Sequence, residues 1–537
     1  MTHGTEGQLQ AVINEAYNRV EGADAQSMNI QAGRALGEAI RTTLGPNGMD
    51  KMIVDSLGGV VVTNDGATIL REMDIEHPGA KLVAEVAQTQ KNEAGDGTTT
   101  AVVLAGELLH QAQKLIDKGI HPTSIIQGYR RAITKTYDVL ETNALEITTD
   151  DEATLAQLAE TAMTGTGADG DRAYLAELVV EAVTQVSHGR YPVDDAIDIE
   201  GIPGGLVTDS ECIQGTIIEK EPAQMGMASL ATDASIAVFE DGLKLDERGD
   251  GALSISDYET KQAILDDEAE TLLERVERLS ELDVDIVFAG GELEPLAVEE
   301  LVRRGVLVFQ KTPTDALERL VRASGATVSS RVDALDSGKL GSAGRVEVGK
   351  RAWTDVVFVE ECPDSGTVTL LLRGGPTHVM DELKRPVVDA ISVTSNALEK
   401  GAICPGGCAM EVEIASQLRQ AADRIATREQ LAVDAFADAL ETLPKTIAES
   451  AGLDPIDAIV ELRREHAAGN ATVGIDGQEA ELTDAVDAGI VDSVRVKRTA
   501  IETAAQAAIF LLRVDDVLLS EKLPDDEHGG TDPGMPR

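Results

Sequence analysis

What most limits the folds open to this chain is its hydrophobic period, which changes partway along and then changes back. From Asn29 to about Asn143 the apolar positions recur at helical spacing, broken by two glycine-rich turns. Ile30, Leu36, Ile40 and Leu44 mark one helical face, and Gly45-Pro46-Asn47-Gly48 stops it. A short β-rich run, Val60-Val61-Val62-Thr63, ends in Asn64-Asp65-Gly66. Val102, Leu108, Leu109, Ala112, Leu115 and Ile116 then line a long helix closed by Gly119, and another helix is expected from Ile125 to Leu140.

The centre reads differently. Helical Leu272–Leu282, Pro295–Arg304 and Thr314–Ala323 alternate with β-rich Asp285–Ala289, Val306–Phe309 and Ala326–Ser329. That alternation predicts an α/β layer with a partly parallel sheet. Upstream, polar Gly242–Asp257 reads as a mobile protrusion before a charged helix. After Leu370-Leu371-Leu372-Arg373-Gly374-Gly375 the pattern is helical again through Ser520, including Leu453–Arg464, Ala480–Gly489 and Thr499–Leu512. Helical ends around an α/β middle imply an insertion: the two ends build one domain and the centre loops out of it.

The chain has 537 residues, enough for three or four units of roughly 150 residues each. It carries 95 acidic and 46 basic residues, a net charge of −49. So negative a field would be repelled by nucleic acid or an anionic membrane, so neither is an expected partner. At 42 % apolar residues it is no disordered acidic tail. The excess reads as a solvated surface suited to a salt-rich cytosol, where a Debye length of ~3 Å at 1 M salt makes the repulsion tolerable. The plainer alternative is an ordinary acidic protein. Cys212, Cys362, Cys404 and Cys408 are too few for a disulfide scaffold, and Cys404 and Cys408 lack zinc-site spacing and read as small core fillers. No run approaches the ~20 apolar residues of a membrane helix, and polar MTHGTEGQLQ is no signal peptide, so a cytoplasmic protein is expected.

The sharpest chemical feature is Ala94-Gly95-Asp96-Gly97-Thr98-Thr99-Thr100, running into the Val102–Ile116 helix. Glycines admit close backbone approach, hydroxyls donate, and a helix N-terminus presents unpaired N–H groups with partial positive charge. These make an anion cradle in which Asp96 could hold a divalent metal. An Asp/Thr helix cap without a ligand is the competing reading. No Walker motif occurs, which disfavours the P-loop class. Asp389, in Pro386-Val387-Val388-Asp389-Ala390-Ile391, is read at a helix start. It is either a carboxylate that orients water for phosphoryl transfer or a first-turn Asp favoured by the dipole. The eight histidines show no metal-ligand spacing, and surface or capping roles are expected for each.

Taken together and in order, these motifs resemble the group II chaperonins, the archaeal thermosome and its eukaryotic cytosolic relatives. The strongest are TTLGPNGMDKMIVD (Thr42–Asp55), TNDGATIL (Thr63–Leu70), HPGAKLV (His77–Val83) and AGDGTTTAVVLAGELL (Ala94–Leu109). IHPTSIIQGY (Ile120–Tyr129), GLDPIDAI (Gly452–Ile459) and LLRVDDVL (Leu511–Leu518) extend the match to about Leu519. With the charge, it implies a halophilic archaeal subunit.

The resemblance implies a multidomain fold. A mostly α-helical equatorial domain (1–145 and 400–523) would join an α+β intermediate domain (146–211 and 365–399). An α/β apical domain (212–364) would carry a helical lid protrusion near 242–270, and 524–537 would be an acidic disordered tail. It implies an ATPase with ATP and Mg2+ as cofactors, possessing non-native polypeptides as substrates and identical or paralogous subunits as partners. These would form a two-ring, 16-subunit assembly. Leu44, Gly45, Pro46, Gly97, Thr98, Thr99 and Thr100 would contact nucleotide, Asp96 the magnesium, Gly407 the pocket wall and Asp492 the ribose. Asp65 would lie beside the γ-phosphate, and Asp65 and Asp389 would be catalytic.

The sequence departs from the family pattern at Thr166, where a lysine is usual, and at Cys408, which replaces the third glycine of a run. Val388, Ser395 and Ser493 are further departures. They motivate two alternatives: slow hydrolysis, or a non-hydrolysing structural or holdase subunit of a mixed ring.

Overall fold

The computed structural model describes residues 17–54, 58–165, 170–187, 192–242, 258–351, 354–362 and 366–520. The chain divides into two compact units. One comprises Met1–Ala144, Cys404–Ala488 and Val494–Arg537, and the other Leu145–Ile403 with Gly489–Ser493. The helical ends and the α/β middle thus fall in different units. The expected protrusion after Gly242, Thr166 and the tail from Pro524 lie outside the described residues.

The first unit is built around one helix, Thr98–Asp117, whose residues are buried on nearly every side. Helices Gly22–Arg41, Pro78–Ala94, Glu429–Leu440 and Val494–Leu512 pack around it. Its fit against Gly22–Arg41 depends on missing side chains. A Cβ on Gly37 would lie 3.2 Å from both the Gly106 Cα and the Val102 carbonyl oxygen, and one on Gly33 would lie 2.5 Å from Leu109 Cδ1. Gly33 facing Leu109 and Gly37 facing Gly106 make the pair antiparallel, so the end of the first helix emerges beside the start of the second. Tyr129 closes the far side, its hydroxyl donating to the Leu108 carbonyl at 2.7 Å while its ring meets Phe436 edge-on. Antiparallel strands Tyr17–Glu21 and Asp516–Ser520 join the two ends of the chain in this unit.

One buried ion cluster belongs to this unit. Glu441 is fully buried and accepts from Arg419 at 2.6 Å and from Arg463, with Lys445 at 3.8 Å. Burial alone would raise its carboxyl, but the Arg463 and Arg419 hydrogen bonds outweigh it and hold the group below the usual glutamate range.

The second unit holds a six-stranded mixed sheet. Strands Leu230–Phe239, Ile286–Ala289 and Leu307–Phe309 run parallel, as the alternating centre predicts. Gly341–Arg351, Thr354–Glu360 and Gly215–Glu219 complete it antiparallel. Strand periodicity sorts the side chains to two faces. Ile236, Val238, Phe288 and Phe309 meet helix Thr314–Ser324, and Ala237, Phe239, Val287 and Val308 meet helices Tyr258–Glu281 and Pro295–Arg303. A smaller sheet pairs Val368–Leu372 with Ile197–Gly201 and Glu211–Ile213. Helices Arg172–Val186 and Thr377–Lys400 share its core.

Three expectations are corrected. Ala480–Gly489 is not a helix: Glu481–Asp484 is a strand, paired antiparallel with Val473–Asp476. Ala326–Ser329 contributes only a single bridge, Ser329 to Phe239. Asp389 is not at a helix start but in the middle of Thr377–Lys400, which continues through Pro386. The dipole explanation for that carboxylate therefore falls, since the effect fades beyond the first turn.

Two outcomes follow from this packing. Gly106→Leu should lower the stability of the first unit by about 1–3 kcal/mol through overpacking, read as an earlier urea transition. An unchanged transition would contradict the backbone-on-backbone crossing. Glu441→Gln should cost about 3 kcal/mol at pH 7 by removing the buried carboxylate that Arg419 and Arg463 share. Because the folded-state carboxyl is held low, its stabilisation is lost as pH falls through that value, below the ordinary 4.5. The gap between wild type and variant should then narrow toward pH 3, and equal gaps at both pH values would refute the assignment.

Candidate functional site

The antiparallel glycine crossing decides where the loops of the first unit come out. The turn after Arg41 and the start of the Thr98 helix lie at one end of the pair. That turn is tight: Gly48 N–H donates to Gly45 carbonyl at 3.0 Å and Met49 N–H to Thr42 carbonyl at 2.8 Å. Leu44 is buried, while Gly45 and Pro46 are half-buried.

The loop before the Thr98 helix, the cradle of the sequence reading, makes a tight turn into it. Gly97 caps the helix at φ 80, a left-handed conformation open mainly to glycine. Its N–H donates to Asp96 Oδ1 at 2.5 Å. Buried Gln90 braces the loop from below, donating to the Asp96 carbonyl at 2.7 Å and to the Val496 carbonyl at 3.2 Å. Ala101 N–H makes the first bond of the helix, to the Gly97 carbonyl. The N–H groups of Thr98, Thr99 and Thr100 precede it and carry the positive end of a 20-residue helix.

The structure brings the second glycine loop against this one. A Cβ on Gly66 would lie 2.6 Å from Thr99 Oγ1, so Asp65 stands next to the cradle. Asp65 also caps the short Gly66–Glu72 helix, Oδ2 accepting from Thr68 N–H at 2.9 Å. Gly407 comes from a fourth loop, at φ 56, with Cys408 following at φ 61 and ψ 14. Cys408 thus takes the left-handed conformation that suits glycine, at a backbone cost of about 1 kcal/mol or more. Its side chain is buried in the core, so the departure from the glycine run leaves the turn intact.

Sequence reasoning missed what connects these loops, the Val473–Asp476 and Glu481–Asp484 hairpin. Ile475 N–H donates to the Gly407 carbonyl at 2.8 Å, and Asn47 Nδ2 donates to the Gly477 carbonyl at 2.6 Å. Gly477 leaves no room for a Cβ, which would sit 2.4 Å from Pro46 Cγ. The two remaining candidates belong to the second unit. Asp389 is half-buried between buried Val387 and Ala390 with exposed Val388 beside it, and Asp492 is half-buried in the short strand Val491–Ser493.

The core-filler expectation holds for Cys404 and Cys408, both buried; Cys362 is buried as well, and Cys212 is half-buried. Burial pushes the Cys212 and Cys362 thiols up to about 12, which leaves them unreactive. His77 and His121 are helix caps, as expected, accepting from Gly79 and Thr123 N–H. His466 is not, being buried on the inner face of its helix. Among the described residues no three His, Cys, Asp or Glu side chains gather into a metal site, and no helix is long and apolar enough to cross a membrane.

Glycine loops gathered at the N-terminus of a buried helix, without a Walker motif, set this chain in a class apart from the P-loop proteins. The comparisons give that class a family. The profile of the TCP-1/cpn60 chaperonin family matches residues 36–522. The chain is 46 % identical to thermosome subunit 1 of Haloferax volcanii, over 99 % of this chain and 96 % of that protein. It is 47 % identical to a thermosome subunit of Methanopyrus kandleri, over 96 % of each. With thermosome subunit alpha of Halobacterium salinarum it shares 45 %, over 97 % of this chain and 93 % of that one. The chain belongs to the TCP-1/cpn60 chaperonin family, in its group II branch.

Proposed function

We propose that the chain is an ATP-hydrolysing subunit of a double-ring chaperonin that encloses and folds non-native polypeptides. The observation that carries the reading is the cradle: Gly97 in a left-handed turn at the buried start of the Thr98 helix, with Asp96 and Asp65 beside it. Backbone N–H groups and the Thr98, Thr99 and Thr100 hydroxyls suit the phosphates. Leu44, Gly45, Pro46 and Gly407 would wall the nucleotide, and Asp492 would hold the ribose. Asp96 would hold Mg2+, which with a single protein carboxylate takes its other ligands from phosphate oxygens and water. The bound metal would supply charge neutralisation at the phosphates.

Asp389 would orient and deprotonate the attacking water, and Asp65 would act near the γ-phosphate. The mid-helix position of Asp389 removes the helix-dipole account of that carboxylate and leaves the family role as the reading. Cys408 does not argue for a non-hydrolysing subunit, because the turn it occupies is preserved.

Under this reading 1–145 and 400–523 are the equatorial domain, 146–211 and 365–399 the intermediate one, and 212–364 the apical one with its lid. Identical or paralogous subunits, sixteen in two rings, would operate in the cytoplasm. The charge of −49 per chain, repeated around a ring, supports a salt-rich cytosol where it is screened.

The test is ATP hydrolysis by the purified protein in molar potassium chloride. Asp389→Ala should lower kcat by about 100-fold or more while Mg·ATP binding persists. Equal turnover by wild type and variant would remove Asp389 from the mechanism.

A further inference from the structure

We propose that His466 is a positioning residue for the nucleotide site, fixing the hairpin that packs on two of its loops. The inference rests on the reading of that site as one for ATP.

His466 lies in the last turn of helix Pro455–Ala467, on the same buried stripe as Ala458, Ile459 and Leu462. Its side chain is wholly buried. Nε2 is 2.9 Å from the Val473 carbonyl oxygen, which can only accept, so Nε2 carries the hydrogen. Nδ1 is 2.9 Å from Glu413 Oε2. Glu413 Oε1 accepts from Gln417 Nε2 at 2.9 Å, so both carboxylate oxygens are engaged. The His466 hydrogen bond, then that of Gln417, holds the Glu413 carboxyl below the usual range.

The ring therefore ties two elements that end at the site. Glu413 sits in the first turns of helix Ala409–Ala422, which begins at Cys408, next to Gly407. Val473 starts the strand whose Ile475 N–H donates to Gly407. Glu413, His466, Val473, Ile475 and Gly407 form a closed circuit of short contacts. The circuit has no slack at its far side, where a Cβ on Gly407 would fall 2.6 Å from the Ile475 oxygen and one on Gly474 2.8 Å from the Gly407 oxygen.

Four residues beyond Val473, Gly477 meets Pro46 and accepts from Asn47. One histidine contact thus sets the register of a five-residue segment against both the Pro46 and the Gly407 loops. In an interior packed this closely a displacement at Val473 is passed on to both. Both loops wall the nucleotide in this reading, while the cradle for the phosphates lies on other elements. Losing the contact should loosen nucleotide binding more than it slows the chemical step.

The experiment compares full-length wild type, His466→Leu, His466→Gln and Arg463→Met in molar potassium chloride. Mg·ATP binding, KM, kcat and thermal midpoint are measured for each. His466→Leu should raise KM and the dissociation constant about tenfold with kcat within about twofold. His466→Gln, which keeps an N–H for the Val473 carbonyl but cannot also reach Glu413, should recover about half of that loss on a logarithmic scale. Arg463→Met removes hydrogen bonds to Glu441 made from the same helix while sparing both His466 contacts. It should lower the midpoint and leave KM unchanged.

Unchanged KM in His466→Leu, with binding intact in wild type, overturns this inference alone. So does an equal rise of KM in Arg463→Met, which would mark a general loss of stability. Should His466→Leu fail to fold, a KM for His466→Gln equal to wild type overturns the inference and a rise of about threefold sustains it. Wild type that neither binds nor hydrolyses Mg·ATP overturns the ATP reading, and this inference with it.

Discussion

The site of the first unit depends on the crossing of two helices at Gly37 and Gly106, where backbone meets backbone with no side chain between. Glycine in a helix interior costs about 0.5–1 kcal/mol relative to alanine, so two at one contact need a compensating gain. The gain is proximity and register. Gly33 against Leu109 and Gly37 against Gly106 set the helices antiparallel, and so deliver the Leu44–Gly48 turn and the Thr98 N-terminus to one end. A helix buried on nearly all sides cannot rotate without opening its core, so the position of its N-terminus is fixed by packing.

From that fixed end the rest follows by short contacts. Gln90 holds the Asp96 carbonyl, Thr99 receives Gly66, and the Val473–Asp484 hairpin receives both Pro46 and Gly407. Each junction uses a glycine where a side chain would collide, which explains why the site is rich in glycine yet firmly placed. Charge enters at a different level. The cores of both units are mainly apolar, so most of the acidic excess lies at the surface, away from the packing that places the loops.

Much of this was legible in the sequence, because its signals are local. The Thr98 helix shows a dense apolar pattern behind a Gly-Asp-Gly-Thr start, and the α/β centre shows strand and helix periods in alternation. What escaped was set by distant contacts. Ala480–Gly489 carries alanine, leucine and acidic residues that favour a helix, yet Glu481–Asp484 pairs with a strand whose place is decided by Gly407. Pro386 reads as a helix start, but buried Met380 and Leu383 continue the stripe of Val387 and Ala390 and hold the helix together across it. His466 reads as a surface residue until it is noticed four positions after Leu462, on the apolar face. That spacing was the available signal. The family resemblance supplied a role for Asp492 that no local pattern gave, and favoured one of the two readings open for Asp389.

The central claim is that four separate loops of the first unit serve one bound nucleotide. Amide hydrogen exchange of the intact protein in molar potassium chloride, with and without Mg·ATP, tests it directly. The account predicts slowed exchange together at 44–48, 64–66, 96–100 and 406–408, saturating at a common Mg·ATP concentration. No protection at these segments, or protection confined to one of them, would contradict it.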